Sequence, residues 1–201
     1  CEYCNTLDAD AVSGHKSRAA VLDFCSLAGV MDFFASLMSG GRCHIVPDHV
    51  VRNIDLLTEY LKENGIDITW VQVGNELENG MLWESGRVSG KNATNFARYF
   101  GAGREIVRRI YPNAIVMLHI SNAWKTETLT WFYDLMRENG VQYDMIGLSL
   151  YPSYWENGAY PDWRPKAQSA VVNFSQLHNR YGKEVMLVEF GMPASEPDKA
   201  K

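Results

Sequence analysis

No run of five basic residues occurs in this 201-residue chain, and its formal net charge is −5. Polyanions are held by basic patches that displace their counterions, so nucleic acid and anionic membrane are excluded as partners. A long uncharged apolar run is lacking as well. The nearest approach, Ala19 to Met38, contains Asp23 and Asp32, each costing about 2.5–3.5 kcal/mol near mid-bilayer, and no membrane-spanning helix is expected. The chain has no glycine-rich phosphate loop, and no histidine pair or aspartate cluster at metal-ligand spacing. Nucleotide chemistry and metal-assisted hydrolysis lose ground accordingly, and no cofactor is expected.

Cysteine is confined to one end: Cys1, Cys4, Cys25 and Cys43 all fall in the first 43 residues. A lone Cys-x-x-Cys without a second pair of that spacing is a weak zinc signal. A zinc site with His44, a disulfide and plain thiols stay open, with plain thiols the expectation. A first residue of cysteine rather than methionine is read as truncation in preference to a lipid-bearing mature terminus. No signal peptide is visible.

What is present is ample apolar mass, 46% hydrophobic against 21% charged, enough for the core of one globular domain. Residues 1–46 carry poor pattern and 47–201 carry a clear one. Val50, Val51, Ile54, Leu57, Tyr60 and Leu61 recur at helical spacing after Pro47-Asp48 and stop at Asn64-Gly65. An apolar strand around Trp70 to Val73 follows. A second helix begins where Asn92 can cap it, with Phe96, Tyr99, Phe100, Gly103, Ile106, Val107 and Ile110 along one stripe, and ends before Pro112. The strand Ala114 to Ile120 leads to a helix from Thr126 to Asn139 with Leu129, Phe132, Tyr133 and Met136 inward. The strand Asp144 to Leu150 precedes a helix that starts near Pro165, buries Ala167, Ala170, Val171, Phe174 and Leu177, and stops at Gly182 before the strand Glu184 to Glu189. Strand ends near 76, 119, 151 and 189 lie about 30–45 residues apart, the rhythm of strand, crossover helix and loop. The expected fold class is α/β, a (β/α)8 barrel.

Parallel strands of a barrel open their carboxyl ends onto one mouth, so Glu76, His119, Tyr151 and Glu189 are expected to converge there. A glutamate at the end of a buried strand is costly unless it has a salt bridge or a catalytic task. A strand histidine is more often a satisfied core residue than a ligand, but His119 ends its strand on the same side as the acids and is carried as a substrate-binding candidate. Trp83, Trp124 and Trp155 lie in the loops just beyond three strand ends, where flat apolar faces would meet sugar rings; for Trp83 packing under its loop is the competing reading. Two acids with aromatic walls point to glycoside cleavage.

The blocks Trp70-Val-Gln-Val-Gly-Asn-Glu76, Asn79-Gly-Met-Leu-Trp83, Ile146-Gly-Leu-Ser-Leu-Tyr-Pro152 and Val185 to Glu189 together resemble glycoside hydrolase family 53. The family comprises arabinogalactan endo-β-1,4-galactanases, clan A (β/α)8 barrels that hydrolyse β-1,4-galactan with retention. The resemblance, over about Pro47 to Pro193, implies that Glu76 on the fourth strand is the acid/base and Glu189 on the seventh the nucleophile. It implies further that Asn75 contacts the 2-hydroxyl of the sugar at the cleavage point, and that Tyr151 steadies the nucleophile. β-1,4-Galactan or a galacto-oligosaccharide is the expected partner, the protein is expected to be secreted or extracytoplasmic, and a monomer is expected. Retention requires carboxyls about 5–5.5 Å apart, one ionised and one protonated.

The chain departs from the family at several points. Strands four to seven are recognisable, and strand eight is not, so the barrel is expected to be incomplete. Leu22-Asp-Phe24 echoes the third strand, but Cys25 stands where the family has histidine. The loop that binds calcium in some members has no counterpart. Two alternatives are another clan A glycosidase acting on mannan, glucan or a β-galactoside, and a non-catalytic carbohydrate-binding barrel fragment.

Overall fold

The structure, a computed structural model, describes residues 54–65, 68–89, 92–153 and 162–191. The four cysteines, His44, Trp155, the Leu22 to Phe24 stretch, the helix start at Pro47-Asp48 and the boundary after residue 46 lie outside the described residues. Within them helices and strands alternate: α1 (Ile54–Glu63), β1 (Trp70–Gln72), α2 (Asn92–Ile110), β2 (Ile115–Ile120), α3 (Thr126–Glu138), β3 (Met145–Leu150), α4 (Trp163–Tyr181) and β4 (Glu184–Phe190). The strands form one sheet in the order β1-β2-β3-β4, every pair parallel. This is a run of consecutive β/α units from a (β/α)8 barrel. Among the described residues no helix is long and apolar enough to cross a membrane.

The middle strands explain their sequences. Residues 116–120 of β2 and 146–150 of β3 are all buried, as parallel strands covered on both faces must be, and they read as near-continuous apolar runs for that reason. Val116, Leu118, Ile120, Ile146, Leu148 and Leu150 belong to a core cluster with Phe96, Phe100, Leu129, Phe132, Tyr133 and Met136 of α2 and α3. Phe132 is the hinge of that cluster, meeting Phe96 edge-on at 6.1 Å and Tyr133 edge-on at 5.4 Å. The alternate residues Met117, His119, Gly147 and Ser149 stand on the other face, where a side chain on Gly147 would press against His119 Cβ and Met117 Sδ, both 3.3 Å away.

Helix α3 buries the four residues its periodicity predicts. Helix α4 differs. Asp162 caps it, accepting from the Arg164 amide at 3.1 Å, which places Pro165 inside the first turn, where a missing amide hydrogen costs nothing. Its buried stripe is Ala170, Asn173 and Leu177, and Val171 is 70% exposed. The expectation that Val171 faces inward is therefore corrected: it lies one residue, about 100°, off a narrow stripe, and the polar Asn173 takes the inward place. Asn173 can do so because its Nδ2 donates to the Ala123 carbonyl and its Oδ1 accepts from Thr126, at 2.9 and 2.8 Å.

At the amino-terminal end of the sheet, away from the acids, Arg108 of α2 donates through Nη1 to the carbonyls of Pro112 and Ala114, at 2.8 and 2.6 Å, and through Nη2 to Asp144. The Asp144 carboxylate also accepts the Val116 amide at 2.8 Å. One ion pair thus ties α2, β2 and β3 into register. Asp144→Ala strands a backbone donor and a guanidinium, and is expected to destabilise the chain by about 1–3 kcal/mol, with Asp144→Asn costing less because an amide oxygen still accepts from Val116. Urea unfolding midpoints check this, and an unchanged midpoint for Asp144→Ala would mean the pair contributes nothing.

Candidate active site

After β1 the backbone turns sharply. Gly74 has φ +83, and a Cβ there would lie 2.7 Å from Leu77 Cδ2, so the turn needs glycine for both its dihedral and its close packing. Glu76 is itself left-handed, φ 44 and ψ 62, and leads into a short 3-10 turn at Leu77–Asn79. Leu77 is 2% exposed and anchors that turn in the core. Gln72 Nε2 donates to Asn75 Oδ1 at 3.0 Å, and the Glu76 amide donates to His119 Nδ1 at 3.4 Å.

Glu189 is aimed by an irregularity in β4. Leu148 pairs with Leu187, but Ser149 pairs with Glu189, so Val188 is an extra residue in the ladder. A bulge of this kind shifts the alternation by one and re-aims the side chain beyond it. Here it puts Glu189 beside Ser149, whose hydroxyl donates to Glu189 Oε2 at 3.4 Å, while Tyr151 Oη donates to the same oxygen at 2.9 Å. Gly191 makes room for that tyrosine, since a Cβ at 191 would lie 2.5 Å from Tyr151 Cε1.

Ser149 joins the two acids. Its hydroxyl also stands near enough to the Glu76 carboxyl to act on its ionisation, and it lies 2.7 Å from His119 Nε2. With Nδ1 accepting from Glu76, the ring must carry its proton on Nε2 and donate it to Ser149. Burial raises the Glu76 carboxyl above its ordinary value; the Ser149 hydrogen bond opposes this, and the charges of Glu189 and Glu78 add to it. Burial lowers His119 to about 4, so it is neutral. Tyr151 is pushed well up, by burial first and then by its hydrogen bond to Glu189.

The structure therefore gathers Asn75, Glu76, His119, Tyr151 and Glu189 at one end of the sheet. His119 is 0% exposed, because β2 is covered on both faces, and both ring nitrogens meet protein groups. Trp83 is 59% exposed with the Arg87 guanidinium 5.1 Å from its ring centroid. Trp124 is half-buried against the core, with the Lys125 and Lys166 ammoniums 4.9 and 4.5 Å from its ring. Two residues of the cluster were not anticipated. Ser149 could have been found from Gly147 and Ser149, small residues alternating with large ones along β3. Glu78 accepts from the Ser121 amide at 3.1 Å and from the Ser121 hydroxyl, and only its spacing of two from Glu76 hinted at it. Among the described residues no group of three or more His, Cys, Asp or Glu side chains is arranged to hold a metal ion.

Fold and site together define a barrel of parallel β/α units with paired carboxyls at the carboxyl ends of its strands. The family model of glycosyl hydrolase family 53 matches residues 54–201, and the chain belongs to that family. The protein named "Probable arabinogalactan endo-beta-1,4-galactanase A" of Neosartorya fischeri is 32% identical over 146 residues, which is 68% of this chain and 38% of that protein. The arabinogalactan endo-beta-1,4-galactanase of Humicola insolens is 32% identical over 139 residues, 66% of this chain and 39% of its own length. The chain thus spans about two fifths of the length of these relatives. In fold it is similar to a fungal β-1,4-galactanase structure, with TM-score 0.59 and 24% identity over 90% of this chain and 63% of that one.

The displaced histidine makes the fold pH-dependent in a definite sense. Its folded value, about 4, is below the ordinary 6.5, so the neutral ring's contribution is fully present above pH 6.5 and is lost as pH falls toward 4. The loss is expected to be on the order of 2–3 kcal/mol. His119→Gln should be less stable than the parent at pH 7 yet show a flatter decline between pH 6.5 and 4. Urea midpoints of both proteins at those pH values test this, Glu76 being common to the two; parallel declines would refute it.

Proposed function

We propose that this chain carries the catalytic acids of a retaining endo-β-1,4-galactanase acting on arabinogalactan, a polysaccharide met outside the cell. The observation that carries the reading is that Tyr151 and Ser149 hold Glu189 at the end of β4 while the Ser149 hydroxyl and the Glu189 carboxylate both act on the Glu76 carboxyl. Two acids close enough to act on one another favour the short separation of about 5–5.5 Å used for retention over the wider gap that admits an attacking water.

In the first step a Glu189 carboxylate oxygen attacks the anomeric carbon. The bond to the glycosidic oxygen breaks as that oxygen takes the proton of Glu76, leaving a galactosyl ester on Glu189. In the second step Glu76, now a carboxylate, removes a proton from water, whose oxygen displaces Glu189 with a second inversion. The raised carboxyl of Glu76 suits a group that must hold a proton first and yield it later. Tyr151 orients the nucleophile through Oε2. Asn75, with its oxygen held by Gln72, has its NH2 end to offer the 2-hydroxyl. Trp83, largely exposed, is the aromatic face that supports a sugar best; Trp124, with two ammoniums against its ring, has less open face to give. His119 acts by holding the Glu76 amide and the Ser149 hydroxyl.

Reducing-end assays on β-1,4-galactan, mannan and glucan test the substrate, with Glu189→Ala and Glu76→Ala alongside. Cleavage of galactan is expected, falling by about 10³-fold or more in Glu189→Ala and, on an activated aryl galactoside, returning in part with azide as an α-galactosyl azide, because azide takes the place of the missing nucleophile and inverts the anomeric carbon once. Glu76→Ala should keep a fast first step on aryl galactosides with good leaving groups, seen as a burst, but turn over slowly because the base of the second step is lost, and azide, which needs no base, should restore turnover as a β-galactosyl azide. A β-azide from Glu189→Ala would overturn Glu189 as the nucleophile, preference for mannan or glucan would move the chain to another clan A specificity, and galactan binding without new reducing ends would leave a non-catalytic binding role.

A further inference from the structure

Glu78 is a carboxylate that the double displacement does not use. It lies two residues beyond Glu76 on the 3-10 turn, half-buried, and reaches across to the loop after β2. There it accepts from the Ser121 amide at 3.1 Å and from the Ser121 hydroxyl, which in turn accepts from Asn122 Nδ2. The turn is thus fastened to β2 at two points, Glu76 through its amide to His119 and Glu78 through its carboxylate to Ser121. Between those points Glu76 keeps a left-handed backbone, φ 44 and ψ 62, which a residue with a Cβ adopts only at a cost and only where neighbours hold it.

We propose that Glu78 is a positioning residue for the acid/base. Clamped on Ser121, it pins the strained turn that aims Glu76 and sets a fixed negative charge beside it that favours the protonated acid. The reading rests on Glu76 as the acid/base of the proposed reaction. The groups facing Glu76 limit what else could set its proton: Glu189 on β4, Tyr151 after β3, the Ser149 hydroxyl on β3, and neutral His119 on β2. Glu189 is consumed as an ester in the first step, so its charge is absent from the intermediate. Among the described residues Glu78 is the one negative neighbour whose charge is there in both steps.

The test does not depend on turnover. In the full chain labelled at glutamate carboxyl carbons, the Glu76 signal, identified by its loss in Glu76→Gln, is titrated in the parent and in Glu78→Gln. Glutamine keeps an oxygen for the Ser121 amide and removes the charge. Glu76 is expected to titrate about half a pH unit or more lower in Glu78→Gln, and an unmoved titration overturns the electrostatic role. Ser121→Ala keeps every charge and tests the clamp: exchange of the Glu76 amide hydrogen should quicken several-fold with the Glu76 titration held, and unchanged exchange overturns the positioning role. Should Glu78→Gln fail to fold, Glu78→Asp, which keeps the charge on a shorter arm, is expected to leave the titration in place while quickening exchange; a titration lowered as far as by charge loss would count against the proposal. If the chain cleaves galactan, the alkaline limb of kcat/KM should move down with Glu78→Gln by the same interval. If it cleaves nothing, the titrations still decide the role of Glu78 while the galactanase reading fails by itself.

Discussion

Ser149 Oγ is the atom on which the arrangement of the site turns. A hydroxyl has one proton and two acceptor positions, and here it faces His119, Glu76 and Glu189 at once. His119 Nε2 donates into it, which leaves its proton for a carboxylate. Because His119 Nδ1 is taken by the Glu76 amide, the ring cannot exchange donor and acceptor ends, and the direction of the whole chain of hydrogen bonds is fixed. A neutral, buried histidine is what that requires: an imidazolium would donate from both nitrogens and push the Glu76 amide away.

This geometry depends on the sheet in a way that separates the two acids. Glu76 is delivered by a strand of three residues that stops at Gln72, followed by a strained turn through Gly74, so its position comes from the loop and from the anchoring of Leu77. Glu189 comes from a full strand, and its direction comes from Val188 in the bulge. Without that extra residue Ser149 would pair with Val188 and Glu189 would point to the other face of the sheet, since a shift of one residue reverses every side chain.

Much of this was legible in the sequence because it rests on repetition. The stripe Leu129, Phe132, Tyr133 and Met136 and the apolar runs of β2 and β3 repeat with the period of their elements, and the strand-end acids follow once the strands do. Val171 misled because α4 buries a narrow stripe whose middle member, Asn173, is polar, and periodicity counts only apolar residues. The bulge at Val188, the left-handed Glu76 and the bond from Glu78 to Ser121 repeat nothing. Each is a single local event satisfied by a residue distant in sequence, and a window of neighbours holds no trace of it. His119 falls between: its place at a strand end was readable, whereas its complete burial depends on β2 being covered on both faces.

The charges of the site admit one further step. Glu76, Glu78 and Glu189 share one end of the sheet, and among the described residues no Lys, Arg or His forms an ion pair with any of them. Their partners are hydroxyls and amides: Ser149, Tyr151 and Ser121. Neutral donors fix where a carboxylate points without cancelling its field, whereas an arginine at the position of Tyr151 would do both. An adjacent cation would pull the Glu76 carboxyl down by one to a few pH units and leave it ionised. Burial first, and then the field of the neighbouring carboxylates, which no ion pair among the described residues cancels, raises the Glu76 carboxyl, and the choice of hydroxyl donors over basic ones at Ser149, Tyr151 and Ser121 keeps that field in place.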